Sequence, residues 1–202
     1  MKQLVLILFG LILIFFSISA QIPEKAEDIS PLLIGEIIPD AVLKAPDASD
    51  HSLLDILSEK PTVILVYRGG WCPYCNMHLA DIQGAESEII ELGYQIVAIS
   101  PDSPENLQLS DEKNKLDYSL FSDGDGTFMK ALGIAFKASD RNIEKLKKNS
   151  AGLNEGYLPV PSVFVVDTSG LIEFEYINPN YKTRLGADFL LAVLKVLKES
   201  EQ

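Results

Sequence analysis

The stretch Thr62-Val63-Ile64-Leu65-Val66-Tyr67-Arg68-Gly69-Gly70-Trp71-Cys72-Pro73-Tyr74-Cys75 decides how the chain folds. Thr62 to Tyr67 is an unbroken β-branched, aliphatic and aromatic run, the composition of a central strand covered on both faces. Arg68-Gly69-Gly70 ends it. Pro73 suits the first turn of a helix, where a missing backbone N–H costs nothing. Leu79, Ile82, Ile89 and Leu92 then supply an apolar stripe along residues 73–92. A strand therefore runs into a helix, and both cysteines of the chain sit at the junction.

Working outward, Tyr94 to Ile99 reads as a second buried strand, parallel to the first because a long crossover helix joins them. Short helices are expected at Ser52 to Glu59, Ser103 to Leu116 and Gly126 to Leu132, and an extended piece at Ser119 to Phe121. Val163 to Val166, the turn Asp167-Thr168-Ser169-Gly170 and Leu171 to Ile177 form a hairpin. Leu185 to Leu197 closes the chain as an amphipathic helix. Residues 134–158 are rich in Lys, Asn and Gly, with a basic patch at Lys145, Lys147 and Lys148, and read as a lid or a spacer. The sum is one α/β domain over residues 35–200, a central mixed β-sheet with helices on both faces.

The 202 residues carry 17 Lys plus Arg against 29 Asp plus Glu, a formal charge of -12. That balance disfavours nucleic acid as a partner, because phosphate contacts need a basic footprint. Lys2, the apolar run Leu4 to Phe16 and the small residues up to Ala20 describe a secretory signal peptide over residues 1–20, with a retained membrane anchor as the alternative. Either form sends the domain across a membrane, to a periplasmic or other extracytoplasmic space, where a disulfide can persist. Membrane association follows only if the segment is retained.

The Cys72-x-x-Cys75 spacing lets one helical turn hold both sulfurs near disulfide distance. Free N–H groups at the helix start favour a thiolate. Cys72 is therefore the expected attacking and exposed sulfur and Cys75 the inner, resolving one. Trp71 can shield one side of the pair, and Arg68 can stabilise a thiolate or orient a partner, with a solvated arginine at the strand end as the alternative. A static disulfide is the bland alternative. A metal site built on Cys72, Cys75 and His78 would need a fourth ligand, and the only other histidine is His51, far upstream. Asp123-Gly124-Asp125-Gly126 resembles half a calcium loop but has no Glu at the twelfth position, so it reads as a turn.

Residues 67–75, together with Pro159-Val160-Pro161-Ser162-Val163-Phe164-Val165-Val166-Asp167 and Asn178 through Arg184, resemble the thioredoxin-like fold and its redoxin, or AhpC/TSA peroxiredoxin-like, group. The resemblance implies a cis-proline at Pro161 facing the cysteine pair. Peroxiredoxins carry Thr-x-x-Cys at this helix, their cysteine attacking peroxide and a later arginine stabilising it. Here Cys72 stands at the threonine, Cys75 at the attacking cysteine, and Pro161 where the arginine is expected. Both departures imply an exported thiol–disulfide oxidoreductase acting on protein disulfides or dithiols with a thiol electron donor and no cofactor. A thiol peroxidase is the alternative.

Overall fold

The computed structural model describes residues 21–114 and 116–200. The expected signal peptide or anchor over residues 1–20 lies outside the described residues. Val42–Lys44 (β1) and Asp50–Ser52 (β2) pair antiparallel. Ser52 then caps Leu53–Leu57 (α1), its hydroxyl accepting from the Asp55 N–H at 3.2 Å. Thr62–Val66 (β3) is buried at every position, as the unbroken apolar run predicts. It feeds Pro73–Glu91 (α2), with Cys72 at the N-cap and Pro73 at the first helical position.

Gln95–Ser100 (β4), Pro104–Asn114 (α3), Ser119–Ser122 (β5) and Thr127–Ala131 (α4) follow. The Asp123 carboxylate accepts the N–H groups of Phe128 and Met129, both at 2.9 Å, so the acidic Asp-Gly-Asp-Gly stretch caps a helix. Ala135–Lys137 (β6) and Tyr157–Pro159 (β7) pair antiparallel and bracket Asp140–Asn149 (α5). Ser162–Val166 (β8), Ile172–Ile177 (β9) and Ala187–Ser200 (α6) complete the chain.

The main sheet has seven strands in the order β2-β1-β5-β4-β3-β8-β9. Strands β3, β4 and β5 are parallel neighbours, whereas β8 runs antiparallel to β3 with Val66 opposite Ser162. The sheet is therefore mixed, as expected. Alternate side chains of β3 feed two cores. Val63 and Leu65 pack with Leu79, Ile82 and Ile89 of α2 and Leu190 and Leu194 of α6. Ile64 and Val66 pack on the other face with Leu53, Leu57, Phe128 and Met129. None of the helices among the described residues is long and apolar enough to cross a membrane.

Two expectations change here. Residues 134–158, read from composition as a lid or a spacer, fold as a strand-helix-strand excursion. Its helix is mostly charged and polar and buries a single residue, Leu146, so by composition it resembled a connection. The Val160–Pro161 peptide is trans, since no cis bond occurs among the described residues. Val160 donates its N–H to the Ile134 carbonyl at 2.9 Å, and its own carbonyl accepts from the Ser162 hydroxyl at 2.8 Å.

Candidate active site

Strand β3 ends by handing its chain to a tight loop. Tyr67 still donates to the Ile99 carbonyl at 3.0 Å. Gly69 follows at φ +125°, a conformation open to glycine, and a Cβ there would lie 2.5 Å from Trp71 Nε1 and 2.6 Å from Asp102 Oδ1. The Gly70 N–H donates to Asp102 Oδ2 at 2.6 Å, and its carbonyl accepts from Asn76 Nδ2 at 2.9 Å. The loop is thus pinned from β4's end and from α2, and it delivers Cys72 to the helix start. Cys75 and Asn76 both donate backbone N–H groups to the Cys72 carbonyl.

Both cysteines are free thiols, and at 2% and 1% exposed both are buried, so Cys72 is not the exposed sulfur expected: the fold packs it into the core beside α2. Cys72 is held down to about 6. The largest cause is a hydrogen bond from the Cys75 thiol; burial opposes it, while the Cys75 N–H and the charges of Arg68 and Arg184 add to it. Cys75 is pushed well above the usual thiol range, first by burial and then by the neighbouring Cys72 sulfur. Cys72 ionises first and Cys75 keeps its proton, the order expected from the helix-start position.

A cavity of about 400 Å³ opens beside Cys72, lined by Arg68, Trp71, Tyr74, Arg141, Lys145 and Tyr181 among others. Arg68 is buried, its guanidinium carbon 4.3 Å from the Tyr181 ring centre and 5.2 Å from that of Trp71. A second cavity, of about 300 Å³, lies on the other side of Tyr74 and is lined by Met77, His78, Asp81, Lys182 and Arg184. From there Arg184 Nη2 reaches Cys75 Sγ at 3.6 Å. His78 is buried and held down to about 4, chiefly by burial, so it is neutral at physiological pH. Asp102, 2% exposed, is raised to about 6 by burial, against the Gly70 N–H that it accepts.

The structure thus brings together Arg68, Trp71, Cys72 and Cys75. Pro161 stands at the same end of the sheet, since β8 begins opposite Val66, but lines neither cavity. His51 stays with Ser49 and Phe121 on β2, and no cluster of three metal-ligating side chains occurs among the described residues. Arg184, Tyr181, Arg141, Lys145 and Asp102 had no assigned role in the sequence reading. Lys145 had a signal in the basic patch, and Tyr181 and Arg184 one in the family-like stretch 178–184; Asp102 had none.

Residues 34–175 match the AhpC/TSA family. Peroxiredoxin bcp1 of Schizosaccharomyces pombe is 29% identical over 112 residues, 55% of this chain and 57% of that protein. Peroxiredoxin Bcp of Escherichia coli K12 is 25% identical over 166 residues, covering 82% of this chain and 97% of that protein. Peroxidoxin BcpB of Mycobacterium tuberculosis superposes with a TM-score of 0.65 at 21% identity, over 81% of this chain and 97% of that one. Reduced Prx3 of Vibrio vulnificus, solved with hydrogen peroxide, gives 0.70 at 18% identity, over 81% and 99%. The two structures speak for the fold, which is thioredoxin-like. The named relatives are peroxiredoxins, and this overturns the expectation that the chain is a thiol–disulfide oxidoreductase. That expectation rested partly on Pro161 displacing an arginine; the geometry shows that a guanidinium still reaches the pair, from Arg184.

Proposed function

The chain belongs to the AhpC/TSA family and is a thiol-based redox enzyme, and from that premise we propose that it is a peroxiredoxin-like thiol peroxidase. The observation that carries the reading is the ordered pair of thiols: Cys72, held down to about 6, beside a cation-lined cavity, and a protonated Cys75 in the same turn. The Cys72 thiolate attacks the peroxide oxygen, the O–O bond breaks, and the leaving oxygen departs as an alcohol or water after taking a proton. Cys72 is left as a sulfenic acid. The Cys75 thiol then displaces water from it and closes the Cys72–Cys75 disulfide, which an external thiol reduces again. Arg68 and Arg184 balance the negative charge on the two sulfurs as it moves.

A second reading is supported by the 3.6 Å contact between Arg184 and Cys75. In it Cys75, which stands at the family's attacking position, is the oxidised sulfur and Cys72 the resolving one. Single substitutions separate the two. Cys75→Ser should retain stoichiometric reaction with hydrogen peroxide and accumulate a sulfenic acid that a dimedone probe captures; Cys72→Ser should not react faster than a free thiol. The opposite pattern would establish the second reading. Loss of fast peroxide reaction from the unaltered protein would remove the peroxidase assignment altogether.

A further inference from the structure

The geometry points to a small carboxylate-bearing co-substrate as the occupant of the cavity beside Cys72, an inference that rests on the peroxidase reading above. Arg68 is only 6% exposed, yet its Nε has no hydrogen-bond partner and no carboxylate pairs with it among the described residues. Aromatic faces hold it instead. A buried cation without an anion is costly, and a Cys72 thiolate balances one unit of charge at most. Arg141 and Lys145 add two more cations to the same lining, Lys145 with its Nζ 5.0 Å from the Trp71 ring centre. Among the described residues no Asp or Glu lines the cavity; the acids of α5, Asp140 and Glu144, are exposed and lie outside it.

The contrast with the whole chain sharpens the point. At a formal charge of -12 the protein's overall field repels anions, so the cationic lining works against the average surface. Its volume, about 400 Å³, falls at the small end of ligand sites, which run from ~300 to ~1,000 Å³. Ser139 and Asn142 add uncharged polar groups near the start of α5. An anionic group seated among Arg68, Arg141 and Lys145 would hold a reacting atom beside Cys72.

Two co-substrates share this chemistry. A carboxylated hydroperoxide would give its terminal oxygen to the Cys72 thiolate and leave as the alkoxide, which takes up a proton. A carboxylated thiolate would instead attack the Cys72–Cys75 disulfide at Cys72, expelling the Cys75 thiolate; a second equivalent then releases Cys72 and departs as the oxidised disulfide of the small thiol.

The test begins with a probe that needs no turnover. The reduced full-length protein is alkylated at Cys72 with iodoacetate and with iodoacetamide, and the rate ratio is compared with that of free cysteine. The ratio should be at least about tenfold higher in the protein, and should fall severalfold with Arg141→Glu, with Lys145→Glu and with rising salt, while Lys145→Arg preserves it. Then mercaptoacetate is compared with mercaptoethanol as reductant of the disulfide, and a carboxylated alkyl hydroperoxide with tert-butyl hydroperoxide as oxidant of the dithiol. The arm that prefers the carboxylate, and loses that preference in the charge-reversed variants, identifies the source. A protein ratio equal to that of free cysteine, or one indifferent to both reversals, overturns the inference. So does an iodoacetate preference with no carboxylate preference in either arm. Failure of the peroxidase reading looks different: neither hydroperoxide oxidises the pair, whatever the alkylation ratio.

Discussion

Arg184 Nη2 lies 3.6 Å from Cys75 Sγ, although the two residues are 109 positions apart and Arg184 arrives from the segment between β9 and α6. The strand start where an arginine is expected for this family carries Pro161 instead. A guanidinium therefore reaches the pair from another element, the segment that precedes α6. Its second amino group donates to the Thr183 carbonyl at 3.1 Å, which fixes the plane of the fork.

Arg184→Met should slow peroxide-driven formation of the Cys72–Cys75 disulfide by roughly tenfold or more, the scale of one charge-assisted hydrogen bond at ~1.5–3 kcal/mol. Stopped-flow fluorescence of Trp71, the chain's one tryptophan, would follow the step. Arg184→Lys should recover part of the rate, because lysine keeps the charge and loses the planar fork. Equal rates in all three proteins would detach Arg184 from the chemistry.

Labelling of Cys72 by a neutral alkylating agent should rise as pH climbs through about 6 and level off above it, while Cys75 labels only at much higher pH. Cys75→Ala should move the Cys72 midpoint upward further than Arg68→Leu does, since the Cys75 thiol is the larger cause of the shift. The sign for stability follows. Cys72 is an acid held below its ordinary value of 9.0, so its contribution is complete above about 9 and is lost as pH falls through about 6. Thermal unfolding of the reduced protein against pH checks it, with the Cys72→Ser variant lacking that slope.

Asp102 runs the other way. Its folded value, about 6, lies above the ordinary 3.8, so the folded carboxyl keeps a proton that the unfolded chain has already released. Stability should fall as pH rises from about 4 to about 6 and stay lower beyond. Asp102→Asn keeps an oxygen for the Gly70 N–H and removes this slope, a gain of about 1 to 3 kcal/mol at pH 7.5. Asp123, raised to about 7 by burial, contributes a similar slope that the substitution leaves in place. Chemical denaturation at pH 4 and pH 7.5 would measure the difference, and an Asn variant less stable at pH 7.5 would show that the carboxylate itself holds the loop.

The parts of the molecule written in local pattern were legible from the chain. The uniform apolar run of β3, the proline at the head of α2 and the Asp-Thr-Ser-Gly turn between β8 and β9 each carry their own physical signal. What brings α5 and the 178–184 segment to the cysteines does not. Lys145, Arg141, Tyr181 and Arg184 reach the pair through tertiary packing, so no spacing in sequence relates them to Cys72.

The placement of both sulfurs within a single turn of α2 has a consequence for survival under excess oxidant. A sulfenic acid on Cys72 faces two competing fates: closure with Cys75, or a second encounter with peroxide that yields a sulfinic acid. Where the partner thiol sits on a distant segment, that segment must first unfold toward the oxidised sulfur, and the delay favours over-oxidation. Here no large rearrangement is needed, and a well-placed neighbour can act as if present at ~10⁵ M or more. An enzyme working as proposed should therefore keep cycling through repeated large doses of hydrogen peroxide. Intact-mass measurement after such a challenge should find the species two hydrogens lighter, with sulfinate appearing only once Cys75 is replaced by serine.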